Sequence, residues 1–258
     1  MKAYNYLKRE MWDGFSLYEK LFMWGMVLLQ IIVYIIAPDS WYGIAAGIAG
    51  CISVVLTAKG RWMMYPIGFI QNITYTILAF QNMFYGEVLE QIFYIVTMVW
   101  GMFAWAKNMN TNDDGTQDVR TRKFAPIDWF MSIIATVVAT VIFGYALKWI
   151  GAAQPFTDAA TNVMAFFAQI MMVKRFREQW VWWIVIDLLC IKMWWVAGNW
   201  SMVAMYIAWT ANCAYGWYNW TKLNNKAHAN WRGTRAQTGV MDDAWTMDLR
   251  MKENRNDN

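Results

Sequence analysis

An all-α membrane protein with eight transmembrane helices is the fold class this sequence predicts, and three observations carry the prediction. Apolar residues come in long blocks rather than at amphipathic spacing. Charged residues, at 16%, fall well below the roughly 25% of soluble domains, and nearly all lie between the blocks or in the two tails. Short Lys/Arg clusters recur at every second connection, as they do in cytoplasmic loops. The net charge of +4 comes from those clusters and forms no patch suited to nucleic acid.

Residues 1–20 mix Lys2, Lys8, Arg9 and Lys20 with Trp12, Phe15, Leu17 and Tyr18, which suits a cytoplasmic amphipathic helix on the membrane surface. The apolar runs follow at about 21–37, 41–58, 62–81, 86–106, 127–149, 158–173, 180–197 and 200–220. Several are short of the ~20 residues an upright helix needs, so flanking aromatics fill the interfaces. Trp62, Trp129, Trp149 and Trp220 read as such belt residues. Pro66 removes a backbone hydrogen bond near the start of the third run and predicts a kink there. No small-x-small cleavage site follows the first run, which predicts a retained span rather than a signal peptide.

Basic residues set the orientation. Lys59 and Arg61 follow the second run, Lys107, Arg120, Arg122 and Lys123 the fourth, and Lys174, Arg175 and Arg177 the sixth; seven Lys/Arg follow the eighth. Those sides are expected in the cytoplasm, with both termini. The alternate connections, near 38–40, 81–87, 148–158 and 198–199, hold only Lys148 and face out. The polar linker at 108–123 and the tail 223–258, with His228, Trp231 and Trp245, read as cytoplasmic and mobile.

Residues 41–105 align on 156–220 at a constant offset of 115 without a gap. Lys59 falls on Lys174, Asn72 on Asp187, Gly101 on Gly216 and Trp105 on Trp220. An odd number of spans separates equivalent positions, so the halves are expected to be two parallel three-helix repeats related by an axis along the membrane normal. Repeat one spans 41–106, a linker helix 127–149 and repeat two 156–220, within a transmembrane domain 21–222 that begins with an extra N-terminal helix.

The candidate site comes from polar residues inside the apolar runs. A carboxylate near the bilayer centre costs a few kcal/mol, which is why such groups serve pathways, ligands or partners. Asp187 stands in the seventh run with Trp183 and Trp180 on its helix face at i−4 and i−7, and Asn212 and Tyr215 form an i, i+3 pair in the eighth. Asn72 is the offset partner of Asp187, and Gln91 lies one turn deeper than Glu87 in an outer cluster with Gln81, Asn82 and Glu90. Together they predict a midplane pocket in which indoles hold a flat ring and polar groups hold its substituents.

Hydrolase, phosphate-loop and zinc signatures are absent, so neither an enzyme nor a cofactor is expected. Cys51, Cys190 and Cys213 are single, lie within apolar runs and read as buried thiols.

The residues are then specific enough for a resemblance. Trp180, Trp183 and Asp187 as WxxWxxxD, Asn212 and Tyr215 as NxxY, TDAAT at 157–161, YGE at 85–87, and the pairs at 100–101 and 215–216 resemble the PnuC nicotinamide riboside transporters, relatives of the SWEET-type fold. That resemblance covers about 20–222 and implies a homotrimer, facilitated diffusion of nicotinamide riboside with trapping by phosphorylation, and substrate contacts at Trp180, Trp183, Asp187, Asn212 and Tyr215. Its pattern admits Asn as well as Asp at position 187. A cationic pyridinium suits indole faces and a carboxylate, whereas a phosphorylated substrate would meet Asp187 with no midplane Lys or Arg to receive it. Two alternatives stay open on the residues alone: transport of another flat vitamin such as thiamine or riboflavin, and a non-transporting membrane receptor or scaffold.

Overall fold

The computed structural model of this chain describes residues 2–36, 40–81, 83, 85–112, 115–151, 155–196 and 200–238. The predicted outward connections at 38–39, 82, 84 and 198–199, part of 148–158, and the tail beyond 238 with Trp245 lie outside the described residues. So do the side chains of His228 and Trp231.

Among the described residues there are nine helices and one hairpin. The helices are α1 (Lys2–Met11), α2 (Leu17–Ile36), α3 (Trp41–Lys59), α4 (Met64–Gln81), α5 (Tyr85–Ala106), α6 (Pro126–Trp149), α7 (Pro155–Val173), α8 (Gln179–Val196) and α9 (Trp200–Thr238). Each predicted run lies within one of α2 to α9, give or take a few residues. Among the described residues five spans, α2, α3, α5 from Glu87 onward, α6 and α7, are long and apolar enough to cross a membrane.

α2 starts earlier than the apolar run because of a reciprocal cap. The Ser16 amide donates to Glu19 Oε2 at 2.6 Å while the Glu19 amide donates to Ser16 Oγ at 3.3 Å, satisfying donors that an uncapped first turn leaves open. Pro66 sits in the first turn of α4, where its missing N–H costs no helical bond, so the expected kink has no cause there.

Six helices close a ring. α3 packs on α4, α4 on α5, α5 on α7, α7 on α8, α8 on α9, and α9 returns to α3; α2 lies outside against α3 and α6 outside against α7. Only Thr136 and Gly144 are buried on α6.

Positions 115 residues apart make the same contacts. α3 closes on Gly60 in the left-handed region (φ 81°), and α7, whose last helical residue is Val173, closes 115 positions on at Arg175 in the same region (φ 66°). The Arg61 amide then donates to Leu56 O at 2.9 Å, and that of Phe176 to Met171 O at 2.8 Å. Glycine takes this conformation freely; a side chain there costs about 1 kcal/mol or more. The helix-closing bonds and Arg175 Nη1, which donates to Arg120 O at 3.4 Å, hold Arg175 in place. Tyr65 packs edge-on to Trp105 with centroids 5.3 Å apart, and Trp180 edge-on to Trp220 at 5.8 Å. The two fully buried indoles cross over: Trp105 Nε1 donates to Met172 O at 3.1 Å and Trp220 Nε1 to Thr57 O at 2.9 Å.

That exchange corrects the reading of Trp220 as a belt residue: its N–H is satisfied by a helix end of the other half, which anchors it in the core. Trp149, 90% exposed, keeps the character of a surface aromatic.

The expectation of a mobile linker is also corrected. β1 (Met109–Thr111) pairs antiparallel with β2 (Gln117–Val119), and the Val119 amide donates to Gly60 O at 2.9 Å. Thr121 Oγ1 donates to Trp220 O at 2.8 Å, Asn224 Nδ2 donates to Thr121 O at 2.8 Å, and Arg61 donates to Gln117 O and Asp13 O. These side chains satisfy helix-end and loop carbonyls that would otherwise be buried unpaired. The tail departs from expectation too. α9 runs on to Thr238, with Asn224 and Ala227 buried.

Candidate functional site

The helix ring surrounds a half-open cavity of about 710 Å³, within the range usual for small-molecule sites. Each ring helix gives it one face at helical spacing: Gly47, Gly50 and Val54 on α3; Gly68, Asn72 and Tyr75 on α4; Glu87, Gln91, Tyr94 and Met98 on α5. α7 adds Ala165 and Gln169, α8 adds Trp180, Trp183 and Asp187, and α9 adds Trp209, Asn212 and Cys213.

Six of the seven residues singled out from sequence, Asn72, Gln91, Trp180, Trp183, Asp187 and Asn212, line this cavity. The seventh, Tyr215, is not among the lining residues. Its ring packs on Tyr18 and its hydroxyl donates to Glu19, which Lys59 also engages at 2.9 Å.

Asp187 is 4% exposed, and among the described residues the one donor it meets is a weak one, the Cys213 thiol at 3.6 Å from Oδ2. Among the described residues it has no ion pair, and Lys192 is exposed on another face of α8. Asn72 Nδ2 reaches only the Met98 sulfur, at 2.9 Å, and Asn212 Nδ2 reaches Val54 O at 3.4 Å. Weak or long partners leave both amides with hydrogen-bonding capacity to spare.

The lining carries Asp187, Glu87 and Glu90 and no Lys, Arg or His among its described residues. Glu87 accepts from Tyr75 at 3.3 Å and Glu90 from Tyr94 at 2.7 Å. The cavity is therefore electronegative, with flat aromatic walls. It suits a cation bearing hydrogen-bonding groups and opposes an anion.

Sequence reasoning missed part of the wall. Gln30 of α2 fills the space left by the absent Cβ of Gly47, and Gln71 lies against Gly50 while accepting from Ser53 Oγ at 2.9 Å. Gln169 Nε2 donates to Thr97 Oγ1 at 3.1 Å. The signal for Gln71 and Tyr75 was their shared face with Gly68, and for Tyr94 its three-residue step from Gln91. Gln30 had none, because its helix lies outside the repeated unit.

Comparison with known proteins identifies the family. The profile of the nicotinamide mononucleotide transporter family matches residues 40–222. The chain is 35% identical over 218 residues to the nicotinamide riboside transporter PnuC of Haemophilus influenzae, covering 84% of this chain and 95% of that one. It is 32% identical over 224 residues to the protein of the same name from Neisseria mucosa, covering 84% and 85%. A crystal structure of the vitamin B3 transporter PnuC superposes with a TM-score of 0.74 at 30% identity, covering 86% of this chain and 98% of that one. The chain therefore belongs to the nicotinamide mononucleotide transporter family, and is a membrane transporter rather than an enzyme.

Proposed function

We propose that this chain carries nicotinamide riboside across the bacterial inner membrane by facilitated diffusion through the ring cavity, with Asn72, Gln91, Trp180, Trp183, Asp187 and Asn212 as substrate contacts and Tyr215 bracing the wall behind them. One observation carries the reading. The cavity joins indole faces to three carboxylates and to amides, without a basic residue in its described lining. The riboside is a flat cation with ribose hydroxyls and a carboxamide. Each indole face attracts such a cation by roughly 0.5–2 kcal/mol, and carboxylate and amide groups take the hydroxyls and carboxamide. The names of the Haemophilus and Neisseria relatives support the riboside. The family's own description points to the mononucleotide, but its phosphate would bring about −1.5 to −2 charge into a cavity of carboxylates, so the riboside is the better fit.

The eight-span arrangement belongs to the same proposal. In it, α2 is an extra N-terminal span, α3 to α5 and α7 to α9 are parallel repeats, α6 is the linker helix, and both termini are cytoplasmic. The matched contacts at an offset of 115 and the clustering of Lys/Arg support it. Residues 1–20 and 223–258 are then the cytoplasmic flanks of a transmembrane domain at 21–222, with the lipid bilayer and two further copies as partners. Transport works by rocking of one repeat against the other around the cavity.

The test is uptake of labelled nicotinamide riboside into vesicles containing the purified protein. Flux should exceed that of empty vesicles without an imposed ion gradient, and Trp183→Ala and Asp187→Ala should each lower riboside affinity about 10-fold or more. No flux above empty vesicles would remove the assignment; full affinity in both variants would remove the site.

A further inference from the structure

We propose that Gln179 is a substrate-contacting residue that reads the carboxamide of the nicotinamide ring and so fixes which end of the substrate faces the start of α8. This rests on the riboside reading above and goes beyond it by assigning an orientation.

Three residues of α8 carry the argument. Gln179, Trp183 and Asp187 stand at i, i+4 and i+8 on one face, and all three line the cavity. At 1.5 Å per residue the rungs are about 6 Å apart, placing an amide about 12 Å from a carboxylate with an indole midway. This order matches a molecule with a carboxamide at one end, an aromatic cation in the middle and hydroxyls at the other.

Gln179 is also a cavity amide without partners among the described residues. It is fully buried, yet neither Oε1 nor Nε2 has a hydrogen bond, and Nε1 of the adjoining Trp180 has none either. Buried polar groups in native proteins are paired in the great majority of cases, so a buried open amide calls for a reason. Its neighbours show the contrast: Gln169 is tied to Thr97 and Gln71 to Ser53. A residue kept for internal structure would be tied in the same way.

Chemistry then selects the ligand group. A glutamine amide offers a donor and an acceptor together, the complement of another primary carboxamide, whereas the Asp187 carboxylate only accepts and so suits hydroxyl donors. The amide is covered in this structure, so it meets a ligand by moving to another staggered rotamer, and its broad terminal torsion then sets which of its atoms donates. The ring thus lies over Trp183 with its carboxamide toward Gln179 and its ribose toward Asp187.

The experiment compares two probes on the purified full chain, nicotinamide riboside and 1-ribosylpyridinium, which keeps the cation and the sugar but lacks the carboxamide. Wild-type protein should prefer the riboside by about 10-fold, and Gln179→Met should reduce that preference to about 2-fold or less by weakening the riboside alone. Melting without ligand separates this from a structural role: Gln179→Met removes an unsatisfied amide and should leave Tm unchanged or higher. Gln179→Leu serves as the second variant should methionine pack badly. Full preference retained in either folded variant overturns the assignment of Gln179. Wild-type protein that binds neither probe removes the riboside reading and this inference with it.

Discussion

Glu10 shows what a buried carboxylate does when no ligand pocket explains it. It is 3% exposed and one carboxylate oxygen has no partner. Burial pushes its pKa above the ordinary 4.5, with nearby Asp118 adding to the rise and Arg61 and the Met63 amide opposing it. The folded state therefore holds the proton more tightly than the unfolded chain. That preference favours folding below the unfolded pKa and is lost as pH rises through the folded value. Melting of the detergent-solubilised protein should accordingly show Tm declining from about pH 4.5 upward until Glu10 has ionised. Glu10→Gln should flatten that slope and raise Tm at neutral pH, and equal slopes in the two proteins would show that Glu10 is fully paired. At this scale the sequence was readable only where a residue contradicted its own neighbourhood. Asp187 stood out because a carboxylate interrupts an apolar run, whereas Gln179 follows Arg177 and Glu178 and looked like the end of a loop. Glu19 was hidden for a different reason: its partners Lys59 and Tyr215 lie 40 and 196 residues away, separations that no local pattern reports.

The second and third helices of each half meet through an aromatic ring laid on a glycine. A Cβ on Gly216 would meet three Trp180 ring atoms at 2.5, 2.6 and 2.7 Å, and one on Gly101 would meet the Tyr65 hydroxyl at 2.5 Å with ring carbons at 3.0 and 3.1 Å. Both rings are buried and pinned against an indole, Trp220 in one half and Trp105 in the other, so neither can swing aside as a flexible chain end would. Overpacking of this kind typically costs about 1–3 kcal/mol. Gly216→Ala and Gly101→Ala should each lower Tm, Gly216→Ala by more, and Gly25→Ala should not, since nothing lies within 4 Å of a Cβ there. A Tm unchanged in Gly216→Ala would show that the helices slide apart freely at this contact. The elements themselves were legible because a helix that buries one face and offers the other to lipid is apolar along its length. The hairpin at 109–119 was not, because its order comes from Arg61, Thr121 and Asn224 supplying bonds from elsewhere in the chain, while its own composition is that of a linker. The continuation of α9 past 220 was hidden likewise: the change from apolar to polar residues marks where the surroundings change, not where the helix stops.

Across the whole molecule, charge rather than shape is what the proposed site would use to decide between the riboside and its phosphorylated form. A cavity of about 710 Å³ has room for either, so volume does not discriminate. The carboxylates do: Asp187 lies near the middle of α8, Glu87 and Glu90 lie at the start of α5, and no described lining residue answers them with a positive charge. A solute entering past α5 meets two acidic groups before it reaches the indoles, which concentrates a cation and repels a phosphate. In a low-dielectric ring this repulsion is screened less by salt than it would be on a surface. Uptake of labelled riboside should therefore be inhibited by unlabelled riboside and resist about a 10-fold higher concentration of the mononucleotide. Replacing Glu87 and Glu90 together by Gln should weaken riboside uptake, chiefly through KM, and narrow the gap between the two competitors. That change should grow as ionic strength is lowered, because an entrance effect acts over the Debye length whereas a direct contact does not. Mononucleotide competing as well as riboside against the wild-type protein would mean that phosphate finds a cation along the path, and the selection rule drawn from the lining would fail.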